Sequence, residues 1–74
     1  MTDARREIRS IIYRKFDTEK ACAEALGWPK QRLNNITNGK KEPTVSEIAA
    51  IARTVEAPVE TLAEVFCRMM LPNG

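Results

Sequence analysis

Apolar residues recur at helical spacing through almost the whole chain, and the alternation expected of a strand is nearly absent. That pattern removes sheet-based folds. It leaves a chain that must bury its apolar stripes by packing helix on helix. Residues 4–15, ARREIRSIIYRK, set Ile8, Ile11, Ile12 and Tyr13 on one face and arginines on the other, as in an amphipathic first helix. Thr18 then offers an N-cap oxygen, and Glu19 places an acid in the next first turn, where the helix dipole favours it. EKACAEALG is a short second helix with Cys22, Ala23 and Leu26 inward and Gly27 where a left-handed C-terminal residue is needed. Trp28 and Pro29 open a third helix, with Pro29 in the first turn, where its missing N–H costs little. Leu33 and Ile36 are its inward pair, and Asn38-Gly39 supplies the turn that ends it.

Beyond Pro43, Thr44-Val45-Ser46-Glu47 reads as a capping box, a threonine with a glutamate three residues on. The fourth helix it starts runs to about Glu56 and is expected to bury Val45, Ile48, Ile51, Ala52 and Val55. Pro58 marks a further start. The fifth helix runs from Val59 to about Met70 and buries Leu62, Val65 and Phe66. The expectation is one all-α domain over residues 1–74, with no repeat, linker or low-complexity tract. At 43% apolar and 30% charged residues the composition is that of a globular protein rather than a disordered one. So short a chain buries a modest core, which makes oligomerisation a natural route to stability.

Several functions are disfavoured at once. Histidine is absent, which removes the commonest metal ligand and general base. Cys22 and Cys67 make no disulfide framework and no metal-ligand spacing, and they read as buried small apolar residues. No nucleophile with a paired base and no glycine-rich phosphate loop appears, so neither an enzyme nor a cofactor or metal is expected. The N-terminal stretch is too charged for a signal peptide, and no run approaches the roughly 20 apolar residues of a membrane span. A reducing cytoplasm is the expected setting.

Charge is unevenly placed. Residues 28–41 carry Lys30, Arg32, Lys40 and Lys41 without an acid, whereas residues 42–74 carry five glutamates against two arginines. A compact basic block suggests an anionic partner. Lys30 and Arg32 also fall in the first turn of a helix, where the dipole disfavours a cation by roughly 0.3–1 kcal/mol. A protein free of a ligand has no obvious gain from that placement. Near phosphates or guanines the cost is outweighed, since a good bidentate base contact discriminates by about 1–3 kcal/mol.

Two short helices meeting at a glycine-containing turn form a helix-turn-helix, here over about residues 18–38. Ala23 must be small where the helices cross, Gly27 must turn the chain, and Trp28 plugs the turn. Leu33 and Ile36 anchor the third helix and leave its other face free. The stretch from Thr18 to Leu62, above all NGKKEPTVSEIAAIA, resembles the Cro and lambda-repressor type of helix-turn-helix domain (XRE-like). The resemblance implies a five-helix, lambda-repressor-like bundle that inserts its third helix into the DNA major groove. It carries base contact onto Lys30, Gln31, Asn34 and Asn35, with Arg32 nearby, and phosphate contact onto Thr18, Asn38, Lys40 and Lys41. The side-chain chemistry agrees independently, because amides pair with adenine and cations with guanine.

The implied protein is a cytoplasmic, bacterial or phage-encoded transcriptional regulator that binds an operator as a homodimer. With no separate effector domain expected, it would repress by occupancy. Met69, Met70 and Leu71 extend the fifth helix beyond what the core needs; with Phe66 they would serve as a dimer contact, or else pack against the first helix. A rival reading is an antitoxin-like subunit whose acidic, apolar C-terminal third holds a protein partner.

Three positions depart from the family pattern. Glu19 replaces a usual phosphate-donating glutamine, so either it turns away or the second helix sits differently on the DNA backbone. Thr37 replaces a frequent glutamate that pairs with an arginine of the first helix; with Ile11 or Ile12 facing it, apolar contact would stand in for the charged pair. Glu56 stands where glycine often ends the fourth helix and weakens that stop.

Overall fold

The structure, a computed structural model, describes residues 4–70, and of Met70 the backbone alone. Five helices follow one another, α1 (Ala4–Lys15), α2 (Glu19–Leu26), α3 (Lys30–Thr37), α4 (Val45–Val55) and α5 (Val59–Met70). No strand occurs among the described residues. The all-α, five-helix architecture read from the sequence is therefore the fold.

Local chemistry sets the helix ends. Thr18, in extended backbone, accepts from Ala21 N at 3.0 Å and starts α2. The capping box of α4 is complete: Glu47 N donates to Thr44 Oγ1 at 3.1 Å, and Thr44 N donates to Glu47 Oε1 at 2.9 Å. Three helices end on one hydrogen-bond pattern, a left-handed residue whose N–H and whose successor's N–H both return to the last turn. Gly27 and Trp28 close α2 on Glu24 and Ala23, and Gly39 and Lys40 close α3 on Ile36 and Asn35. Glu56 and Ala57 close α4 on Arg53 and Ala52, with Glu56 at φ 58°. The stop expected to be weak is thus fully formed, at a backbone conformation that costs a side-chain-bearing residue energy.

The core is one cluster. Ile8, Ile11 and Ile12 of α1 meet Cys22 and Ala23 of α2, Leu33 and Ile36 of α3, Ile51, Ala52 and Val55 of α4, and Leu62, Val65 and Phe66 of α5. Burying each larger aliphatic contributes about 1.5–3 kcal/mol. Ala23 is 1% exposed at the α2–α3 crossing, as its size requires. Trp28 packs partly buried over the turn.

Several expected positions differ. Val45, the first residue of α4 after the Thr44 cap, is 82% exposed rather than buried. Tyr13 is exposed, at the edge of α1 that borders the start of α2. Cys67 is exposed, whereas Cys22 is buried, with its thiol pushed up to about 11 by burial and by nearby Glu19. Phe66 is a core residue at 2% exposure, so it is not available to a second subunit. Met69 packs against the core and reaches the α3–α4 loop, its Sδ 3.5 Å from where a Cβ on Gly39 would stand. The Met70 side chain and Leu71 lie outside the described residues. Arg68 of α5 pairs with Glu7 of α1 at 2.7 Å and fastens the two terminal helices.

Candidate nucleic-acid interface

α3 is eight residues long and held from one side only. Pro29 caps it without a side-chain hydrogen bond, so its start is set by proline's fixed φ and its end by Gly39. Leu33, Ile36 and Thr37 are fully buried beneath it. On the opposite side Lys30 and Gln31 are exposed, and Asn34 and Asn35 are half-buried. Gln31 Nε2 donates to Asn35 Oδ1 at 3.0 Å, so these two amides form one exposed pair. Lys30 and Asn34 share a shallow groove with Tyr13 of α1, the cap residue Thr18, and Glu19 and Lys20 of α2. Four of the expected base-contacting side chains therefore lie on one outward surface.

The fifth, Arg32, is placed elsewhere. Its guanidinium donates to Glu47 Oε2 through Nε at 3.1 Å and Nη2 at 2.9 Å, and stacks 4.2 Å from the centre of the Trp28 ring. Arg32 is thus directed at α4, and the cost of a first-turn cation is met within the chain. The expectation that an unliganded protein gains nothing from it is corrected on that point. Lys41 Nζ also donates to Glu47 Oε2, at 2.9 Å. The backbone N–H of Thr44 and the two cations together hold the Glu47 carboxyl down to about 2 against a usual 4.5. Two of the four cations of the basic block thus converge on one buried carboxylate. Lys30 and Lys40 are exposed and make none of the ion pairs among the described residues.

At the candidate phosphate positions, Thr18 is exposed and uses its oxygen in the cap, which leaves its hydroxyl proton to donate outward. Lys40 and Lys41 flank the turn after α3, with both backbone N–H groups bonded to the Asn35 carbonyl. Asn38 is half-buried and engaged by Arg9 and Asn34 rather than free.

The two departures at positions 19 and 37 compensate each other. Glu19 is turned inward and 8% exposed, with Oε2 accepting from the Thr37 hydroxyl at 3.2 Å and Oε1 facing Arg9 Nε at 3.4 Å. The carboxylate that position 37 lacks is supplied from position 19, and the α1 arginine is Arg9. The apolar replacement expected from Ile11 or Ile12 is not what fills this site. Of the alternatives for Glu19, the structure takes the first: it turns away from the outer surface.

Three residues of this site were not singled out from the sequence: Arg9, Lys20 and, as a collector of cations, Glu47. Arg9 follows buried Ile8 on the edge of the α1 stripe, and that edge position is the signal that could have found it. Lys20 stands exposed in the first turn of α2, beside Thr18.

An anchored short helix with a free polar side, preceded by a capped helix and a glycine turn, defines a helix-turn-helix DNA-binding unit. The helix-turn-helix family profile matches residues 18–62. The chain belongs to that family, with the Cro and lambda-repressor type of DNA-binding domain, and is a DNA-binding transcription regulator. No curated protein and no solved structure matches it significantly. Among the described residues no helix is long and apolar enough to cross a membrane, and no acid or cysteine cluster could hold a metal ion.

Proposed function

We propose that the protein reads a specific duplex sequence with the outer side of α3 and represses transcription by occupying its operator. The observation that carries this reading is the grouping of Lys30, Gln31, Asn34 and Asn35 on the one side of α3 that its core anchors leave free. Amides and a cation there meet base edges in the major groove, where all four base pairs are distinguishable. Thr18 and Lys40 take phosphates, and Lys41 joins them while still paired to Glu47. Arg32 and Asn38 act from behind, holding α3 in place. Two subunits would present two such helices about 34 Å apart, one turn of B-DNA, on a near-palindromic site. The setting is a bacterial or phage-infected cytoplasm.

Binding measurements on a selected duplex and its single-base variants test the assignment. Gln31→Ala and Asn35→Ala each relax preference at one or two bases per half-site, by about 1–3 kcal/mol. Lys40→Ala weakens binding evenly across sequences and makes the salt dependence shallower by about one unit per site. The assignment is wrong if Lys40→Ala alters base preference while Gln31→Ala and Asn35→Ala leave it unchanged.

A further inference from the structure

Two shallow hollows meet at Tyr13, which lines both. In one it joins Arg6, Arg9 and Ser10, side chains that follow one another at helical spacing on a single face of α1. In the other it joins Thr18, Lys20, Lys30 and Asn34, so this face of α1 continues into the reading surface of α3. The lining is rich in cations and hydroxyls. Arg6, Lys20 and Lys30 are exposed and enter none of the ion pairs among the described residues. The one acid that lines either hollow, Glu19, is turned inward, where Arg9 and Thr37 answer it. Its charge is therefore largely spent inside the chain, and Lys20 is the exposed charge of that first turn. Tyr13 is exposed in the midst of these groups and adds nothing to the core.

We propose that one strand of the duplex leaves α3 over Tyr13 and follows this face of α1, with Arg6, Tyr13 and Lys20 as further phosphate-binding residues. The proposal rests on the reading of duplex DNA by α3, because Lys30 and Asn34 are where the two surfaces join. Two observations select a phosphodiester backbone as the occupant. Cations and hydroxyls, tyrosine's included, are the groups that hold DNA phosphates without reading sequence. The hollows are also continuous with the side of α3 that faces base edges, so a strand held there belongs to the same duplex. Arg6 and Tyr13 are seven residues apart, about 10 Å along the helix, too far to share one phosphate. The contact with α1 thus adds phosphates to those taken by Thr18 and Lys40, on the side of α3 away from Lys41.

The test is a salt titration of binding by the full chain, on a selected duplex and on a random-sequence duplex of the same length. Arg6→Gln and Lys20→Gln are each expected to make the salt dependence shallower by about one unit on both duplexes, with base preference unchanged. Tyr13→Phe weakens both complexes about tenfold and leaves the slope as it was, since a neutral hydroxyl displaces no counterion. Arg14→Gln is the control: Arg14 is also an exposed cation of α1, but it lines the hollow toward α4 and α5 and its removal leaves the slope unchanged. All four side chains are exposed, so the variants keep the wild-type melting temperature. Wild-type slopes for Arg6→Gln and Lys20→Gln overturn the path over α1. So does an Arg14→Gln slope reduced as much as theirs, or a Tyr13→Phe chain that binds as tightly as the wild type. A wild type that prefers no duplex overturns the reading by α3 itself, an outcome separate from the slopes.

Discussion

Lys30 and Arg32 look equivalent in the sequence, two cations in one first turn, and they do different things. Lys30 stands on the free surface. Arg32 reaches a glutamate 15 residues further along the chain. That partner is invisible to any local pattern, because Glu47 had already been accounted for as half of a capping box. Glu19 and Thr37 could be seen as departures from the sequence, but only the folded chain puts one beside the other. Glu47 carries a consequence for acid stability. Its carboxyl is held at about 2 when folded and returns to about 4.5 when unfolded, so folding favours the ionised form. The stabilisation is complete above about pH 5 and is lost as the pH falls through 2. Urea unfolding of the wild type and Glu47→Gln should therefore show a stability gap that is widest near neutrality and narrows from pH 5 to pH 2. A gap that stays constant over that range contradicts the assigned network.

All five helices were legible because each boundary is written in neighbouring residues. Thr18, the Thr44–Glu47 box, Gly27 and Gly39 fix starts and stops through bonds spanning three to five residues. Which face of each helix is covered was less legible. Periodicity places Val45 and Tyr13 on apolar stripes, yet both are exposed, and only tertiary packing decides that. The end of α4 is the element most open to improvement. Glu56 occupies left-handed backbone, at a cost of roughly 1–2 kcal/mol to a residue with a side chain. It also pairs with Lys15. In a Lys15→Ala background, where the pair is already gone, Glu56→Gly should stabilise the fold by about 0.5–1 kcal/mol after glycine's own entropy cost. That is a rise of several degrees in melting temperature for a domain of this size. No change, or a fall, would show that the helix stop is not strained.

The domain measures about 36 × 20 × 20 Å, so its long axis is about one turn of B-DNA. Its net charge is only +2, which is low for a protein that binds nucleic acid without regard to sequence. Two of its exposed cations, moreover, are shared with Glu47 inside the molecule. In the proposed reading, binding draws on shape and base contact through α3 as well as on phosphate attraction. Titration of the isotope-labelled chain with its selected duplex, followed by amide and side-chain NMR shifts, tests this most directly. The largest changes are predicted at Lys30, Gln31, Asn34, Asn35, Thr18 and Lys40, including the side-chain NH2 groups of the three amides. Changes centred on α5 or the outer side of α1, with the α3 amides unmoved, would contradict it.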